Sequence, residues 1–356
     1  MSLSSLPSVL AQSIAHSLTT KERLRLARCS RRNRTLAEAP FAWLHADPIP
    51  LDIDGRGLSS GPLLRFIPIR LFWRKYSMPH SVADRVSRLI AIADRSHVVA
   101  IQFFQKLDDA LMSRILQAPS VLRLQSLSLW GHTRRQIELV CQLPLLATLV
   151  LASPLSTADA SLLSPAPSLT DLTVTNATSD PGSLASVLQC SKLRRLAVSG
   201  FRVADLPAFS QEPRWQQLRE LVVSPSAPWG LLSADTMAAA FSSLRSLLVL
   251  QLAGENLDPL LAHVRRIPTL RRLIIECDGL GLVVWSDSLS YSDDVLLSLL
   301  RSSPTLNVDW LAAPLDSERL ESLLRPLIAE LGAQLIHSEE QISHSARSRF
   351  RLVRAA

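Results

Sequence analysis

The chain has 356 residues, 47% of them apolar and only 5% aromatic, and a net charge of +7. That apolar content excludes a disordered chain, and four cysteines as far apart as Cys29, Cys141, Cys190 and Cys277 exclude a disulfide scaffold. With only 11 glycines there is no phosphate-cradling motif; Gly55-Arg56-Gly57-Leu58-Ser59-Ser60-Gly61 has the wrong spacing.

The first 45 residues read as helical. Ser5-Leu6-Pro7 opens a helix with Pro in its first turn, and Leu10, Ile14 and Leu18 then fall four apart on one face. Thr19 and Glu22 form a capping box, and a second helix carries Leu24, Leu26 and Ala27 among its arginines. Pro40-Phe41-Ala42-Trp43 closes this unit. A hairpin of this size holds little core alone and needs a partner or the neighbouring repeat. Residues 21–34 carry a balance of +6, and residues 345–354 add +4. The basicity thus sits at both ends around a middle close to neutral, which argues against a nucleic-acid-binding face. Residues 1–37 are rich in Ser and Arg with one acid, Glu22, as in a mitochondrial transit peptide, but their positive charges are confined to one segment.

Residues 46–96 read as a linker and a first irregular repeat, with a strand near 65–72. Asp52-Ile53-Asp54 before Gly55 reads as a turn rather than a metal site. From residue 97 to 311 the chain repeats itself. His97–Phe104 predicts a strand and Asp108–Gln117 a helix. The triplet Leu-x-x-Leu-x-(Leu/Val/Ile) then recurs seven times: 124/127/129, 146/149/151, 169/172/174, 193/196/198, 218/221/223, 247/250/252 and 270/273/275. The last members lie 22 to 29 residues apart, the period of leucine-rich repeats. Pro144, Pro167, Pro268 and Pro304 stand two residues before a leucine that opens a strand, where each would stop the preceding helix. Asp180-Pro181 and Asp258-Pro259 read as a cap followed by a first helical residue.

One strand and one helix cannot bury their apolar sides alone, but stacked units can. The expected fold is therefore α/β: a leucine-rich repeat solenoid, with a parallel sheet on the concave face and helices on the convex face, behind the small all-α unit. After Ile275 the regularity fails. Residues 278–292 read as an insertion, followed by a helix at 293–302 and a strand at 306–311. Residues 312–356 read as a capping segment, with a helix near 316–330 and strands near 333–337 and 349–353.

Strand side chains alternate, so the residues between the leucines point outward. These are mostly small and neutral, which suits a protein or peptide better than a phosphate backbone. The candidate substrate-binding residues are Trp130, Asp171, Arg195, Glu220, Arg272 and Glu276, with Trp285 in the insertion. Trp and Arg rank high as recognition anchors. The eight histidines show no metal spacing with cysteine, and no nucleophile elbow occurs, so no enzyme, metal or cofactor is expected. No run of apolar residues approaches the ~20 that cross a bilayer, and no secretory signal pattern opens the chain. Scattered cysteines fit the cytosol or nucleus.

The N-terminal residues resemble the F-box family in Leu6-Pro7, Ile14, Leu18, Leu24-Arg25-Leu26-Ala27, Cys29-Ser30-Arg31-Arg32 and Trp43. Ser8 and Asn33 stand where that family often has an acid and a Trp. The resemblance implies that the hairpin docks a Skp-type adaptor of a cullin-based ubiquitin ligase while the repeats hold a protein substrate. It implies Leu6, Pro7, Leu10, Ile14, Leu18, Leu24 and Leu26 as the adaptor contacts. The alternative is a repeat scaffold whose N-terminal helices only cap the stack.

Overall fold

The structure is a computed structural model. It describes residues 49–52, 68–73, 97–103, 106–117, 121, 123–175, 181–202, 206–225, 233–253, 257–276, 293–303, 306–312, 333–342 and 345–354, with a few positions between 325 and 331. The hairpin over residues 1–45, the insertion 278–292 and most of the helix expected near 316–330 lie outside the described residues. The chain divides into two compact units.

The first unit takes residues up to Ala152 with Ala166–Leu169. Its strands are β1 (Ile49–Asp52), β2 (Pro68–Trp73), β3 (His97–Phe103), β4 (Ser126–Leu129) and β5 (Thr148–Leu151), each parallel to the next. Helices α1 (Asp109–Leu116) and α2 (Arg134–Cys141) provide the crossovers that parallel strands require. Sequence reading missed β1: Asp52, read as part of a turn, ends a strand. The strand expected near 65–72 is β2.

The second unit takes Ser153–Pro165 and everything from Thr170. Its parallel strands are β6 (Asp171–Val174), β7 (Arg195–Phe201), β8 (Glu220–Pro225), β9 (Val249–Ala253), β10 (Arg272–Glu276) and β11 (Asn307–Ala312). Helices α3 (Thr157–Leu163), α4 (Pro181–Val187), α5 (Leu206–Gln211), α6 (Ala234–Ser242), α7 (Asp258–Val264) and α8 (Asp293–Ser302) alternate with them, and a 3-10 turn spans Pro213–Gln217. The end is antiparallel: β13 (Ser345–Arg354) pairs with β11, and β12 (Ala333–Ile342) pairs with β13. These two strands, ten residues each, are longer than the five-residue pieces the sequence suggests.

The leucine triplets set the register. Leu127 pairs with Leu149, and Leu129 with Leu151. In the second unit one inward row runs Leu172–Leu196–Leu221–Leu250–Leu273–Val308, and the next runs Val174–Val198–Val223–Leu252–Ile275–Trp310. All twelve side chains are buried. A one-residue slip would turn every one of them to the opposite face, so the register is strongly specified. The helices answer with narrow apolar stripes, such as Leu260, Leu261 and Val264 in α7 or Leu296, Leu299 and Leu300 in α8.

Side-chain caps start the helices. Asp108 accepts from Leu111 N, Thr133 from Gln136 N, Ser156 from Asp159 N and Ser233 from Thr236 N. At α7 the sequence reading is corrected: Asp258 is the first helical residue rather than the cap, and Leu257 occupies the cap without a side-chain bond. Asp258 still places negative charge at the helix start, where the dipole favours it. Gly200 has φ 71, which a side chain resists, and it sits where the β7–β8 register shifts between Ser199 and Phe201.

Single hydrogen bonds stitch neighbouring repeats. Trp215 Nε1 donates to Ala240 O at 3.1 Å, Cys190 Sγ to Leu163 O at 3.3 Å and Thr269 Oγ1 to Leu247 O at 2.7 Å. In the first unit the buried Gln136 amide donates to Leu107 O at 2.8 Å and to Asp109 Oδ1 at 2.9 Å.

Candidate interaction face of the sheet

In each unit the positions between the leucines form the other face of the sheet. In β4, β5 and β6, outward and inward positions alternate strictly between half-buried and buried. In the second unit the first outward row is Asp171–Arg195–Glu220–Val249–Arg272–Asn307, and the second is Thr173–Ala197–Val222–Gln251–Ile274–Asp309.

Three candidate residues come together here. Arg195 reaches Asp171 Oδ1 at 2.9 Å on one neighbouring strand and Glu220 Oε1 at 2.8 Å on the other. Burial works against the Arg195 charge, but the bonds to Glu220 and Asp171 outweigh it and hold the guanidinium more firmly protonated than usual. The three side chains are 26% to 36% exposed, so each pair is worth well under the Coulomb value for a dry site, of order 1 kcal/mol or less. The cluster presents two acids around one cation to solvent.

Arg272 and Glu276, two further candidates, lie on β10 and reach in opposite directions. Glu276 accepts from Gln251 Nε2 at 3.1 Å. Arg272 forks onto Asp309, whose carboxylate is fully buried and also accepts from Arg351 Nε at 2.9 Å, with Arg349 at 3.9 Å. Sequence reasoning missed Asp309 and its partners Arg349 and Arg351 on β13. The β11 strand was foreseen, but nothing in the sequence pairs it with a strand forty residues further on. Arg272 is therefore partly committed to joining β10, β11 and β13. Ile274 also departs from expectation: it is an outward position yet 6% exposed.

Trp130 follows β4 in the first unit and is 58% exposed. Trp285 and the adaptor-contact set Leu6, Pro7, Leu10, Ile14, Leu18, Leu24 and Leu26 lie outside the described residues.

The chemistry of these faces is recognition by charge and shape. Among the described residues no three His, Cys, Asp or Glu side chains gather as metal ligands, and no described helix is long and apolar enough to cross a membrane. Burial, with Glu138 beside it, pushes the Cys141 thiol up to about 11, so it stays protonated near neutral pH and is a poor nucleophile.

Strands keyed by leucine triplets, alternating with crossover helices and stacked in parallel, define repeat units of the leucine-rich kind in both halves of the chain. No protein-family model matches the chain, and no curated protein matches it significantly. Among solved structures, the leucine-rich repeat-containing protein LegL7 from Legionella pneumophila is similar over 79% of this chain and 98% of its own, with 16% identity and a TM-score of 0.48.

Proposed function

We propose that this chain is a non-catalytic protein-recognition subunit: the outward face of its repeats holds a protein, and its N-terminal hairpin docks a Skp-type adaptor of a cullin ubiquitin ligase. The observation that carries the first half is the Asp171–Arg195–Glu220 cluster on the outward face. Charges of both signs at fixed spacing select a complementary partner surface and reject a uniform polyanion. The second half rests on the F-box-like pattern over Leu6–Trp43. An amphipathic hairpin carrying Leu6, Ile14, Leu18 and Leu24 would bury that face in a partner groove.

The test is a binding titration of the full chain with a purified Skp-type adaptor. Binding that is lost in the Leu6→Asp, Ile14→Asp double variant supports docking. No binding, or binding that ignores the double variant, supports the second reading, a repeat scaffold in which the N-terminal helices only cap the stack. That scaffold reading further expects deletion of residues 1–45 to lower the melting temperature of the repeats. The cytosol or nucleus is the compartment this role requires.

A further inference from the structure

Basic residues that take no part in the outward face gather on one edge of the second unit, where each helix hands over to the next strand. The four turns leading into β7, β8, β9 and β10 (residues 188–194, 212–219, 243–248 and 265–271) carry eight lysines and arginines against one acid, Glu212. Some of this follows from helix ends, since a cation is favoured beside the last carbonyls, and Arg265 and Arg266 at the end of α7 need no other reason. Arg194, Arg219 and Arg271 do. They stand one residue before their strands, beyond the last turn of any helix.

The backbone lines these arginines up. Arg194 N donates to Thr170 O, Arg219 N to Arg194 O, Leu248 N to Arg219 O, Arg271 N to Leu248 O and Asn307 N to Arg271 O, at 2.8 to 3.0 Å. The row is therefore Arg194–Arg219–Leu248–Arg271, one residue per repeat. At ~4.8 Å per strand it runs roughly 14 Å, the length of about four extended residues. All three arginines are exposed, and Leu248 between them is 39% exposed. Arg194 reaches only the Gln217 amide at 3.5 Å, and among the described residues none of the three meets a carboxylate. The edge also acts on its surroundings: burial, then Arg266 and Arg265, hold the His263 imidazole below its ordinary range.

We propose that this edge is a second docking surface, distinct from the outward face, and that it takes an extended acidic segment of a partner protein with an apolar residue seated on Leu248. A single-stranded nucleic acid would want aromatic platforms for its bases. The row offers a leucine instead, in the place where a phosphate would lie.

The experiment uses the full chain and three probes: a fluorescein-labelled poly-Glu peptide with one central Leu, an oligouridine of the same length, and vesicles rich in phosphatidylserine. The expected result is peptide binding that weakens steeply with salt. It should weaken roughly tenfold in the Arg194→Gln, Arg219→Gln, Arg271→Gln variant, and a few-fold in Leu248→Ser, but only when the peptide carries its Leu. Far-ultraviolet circular dichroism and melting of both variants, whose changes are all on exposed side chains, report their fold. Absence of peptide binding, tighter binding of the RNA or the vesicles, or peptide binding that the triple variant leaves intact would each overturn the proposal.

Discussion

The two units share a backbone plan but not a surface. In the first, the outward rows over β3, β4 and β5 read Ala100–Ser126–Thr148 and Gln102–Ser128–Val150, without a charge, and the register continues them to one charged position on each of β2 and β1, Arg70 and Asp52. In the second, the same positions hold Asp171, Arg195, Glu220, Arg272 and Asp309. The inward rows of both are leucine, valine, isoleucine and large aromatic side chains. The difference shows that the leucines fix where the strands lie, while the positions between them are free to carry recognition or none.

The sharpest way to break this comparison is to attack what the units share. Leu127→Ala in the first and Leu250→Ala in the second should each lower unfolding stability by about 3 kcal/mol, because both side chains are fully buried and leave a cavity. Urea denaturation of each variant, followed by hydrogen exchange to locate the loosened repeats, checks it. A loss under 1 kcal/mol at either site would mean the row is not the core.

Asp309→Ala has no counterpart over β3, β4 and β5. It removes the carboxylate shared by Arg272 and Arg351. Leaving buried charge uncompensated is costly, but these arginines are partly exposed and can turn to water. The expected loss is about 2 kcal/mol in thermal melts, with faster amide hydrogen exchange in β12 and β13. Unchanged protection of these two strands would deny that Asp309 ties them to the parallel stack.

The smallest effect is a pH dependence confined to the second unit. His263 is held neutral by burial and by Arg266 and Arg265, with Asp235 opposing. The unfolded state therefore binds the proton better, so stability should be full above the ordinary histidine range and fall as pH drops through it. A His263→Gln variant should show a flatter profile between pH 7 and pH 5 in the same melts.

Much of this architecture was readable because a leucine triplet is a local signal repeated in phase. Seven copies predict strands at 126–129, 148–151, 171–174 and onward, and the strands lie there. The two Asp-Pro pairs likewise pointed to the helices Pro181–Val187 and Asp258–Val264, with Asp258 displaced by one position. What escaped depends on contacts distant in sequence. The Asp309–Arg351 bond joins residues 42 apart through an antiparallel pairing that no repeat encodes. Ile274 is buried at an outward position, which strand alternation cannot foretell. Among the candidate recognition residues, Asp171, Arg195 and Glu220 were visible because the repeat register itself places them side by side.

The claim that outward residues recognise while inward ones only hold can be tested by exchanging charges within the cluster. The variant Asp171→Arg, Arg195→Glu, Glu220→Arg keeps one ion pair on each side of the central strand but inverts what a partner meets. Quantitative mass spectrometry of proteins co-purifying with the wild type and the exchanged chain, at matched expression and after melts confirm a stability change below about 1 kcal/mol, gives the direct reading. The account predicts loss of the partners that depend on this face, with any adaptor bound through residues 1–45 retained. An unchanged set of partners on an equally stable chain would contradict it.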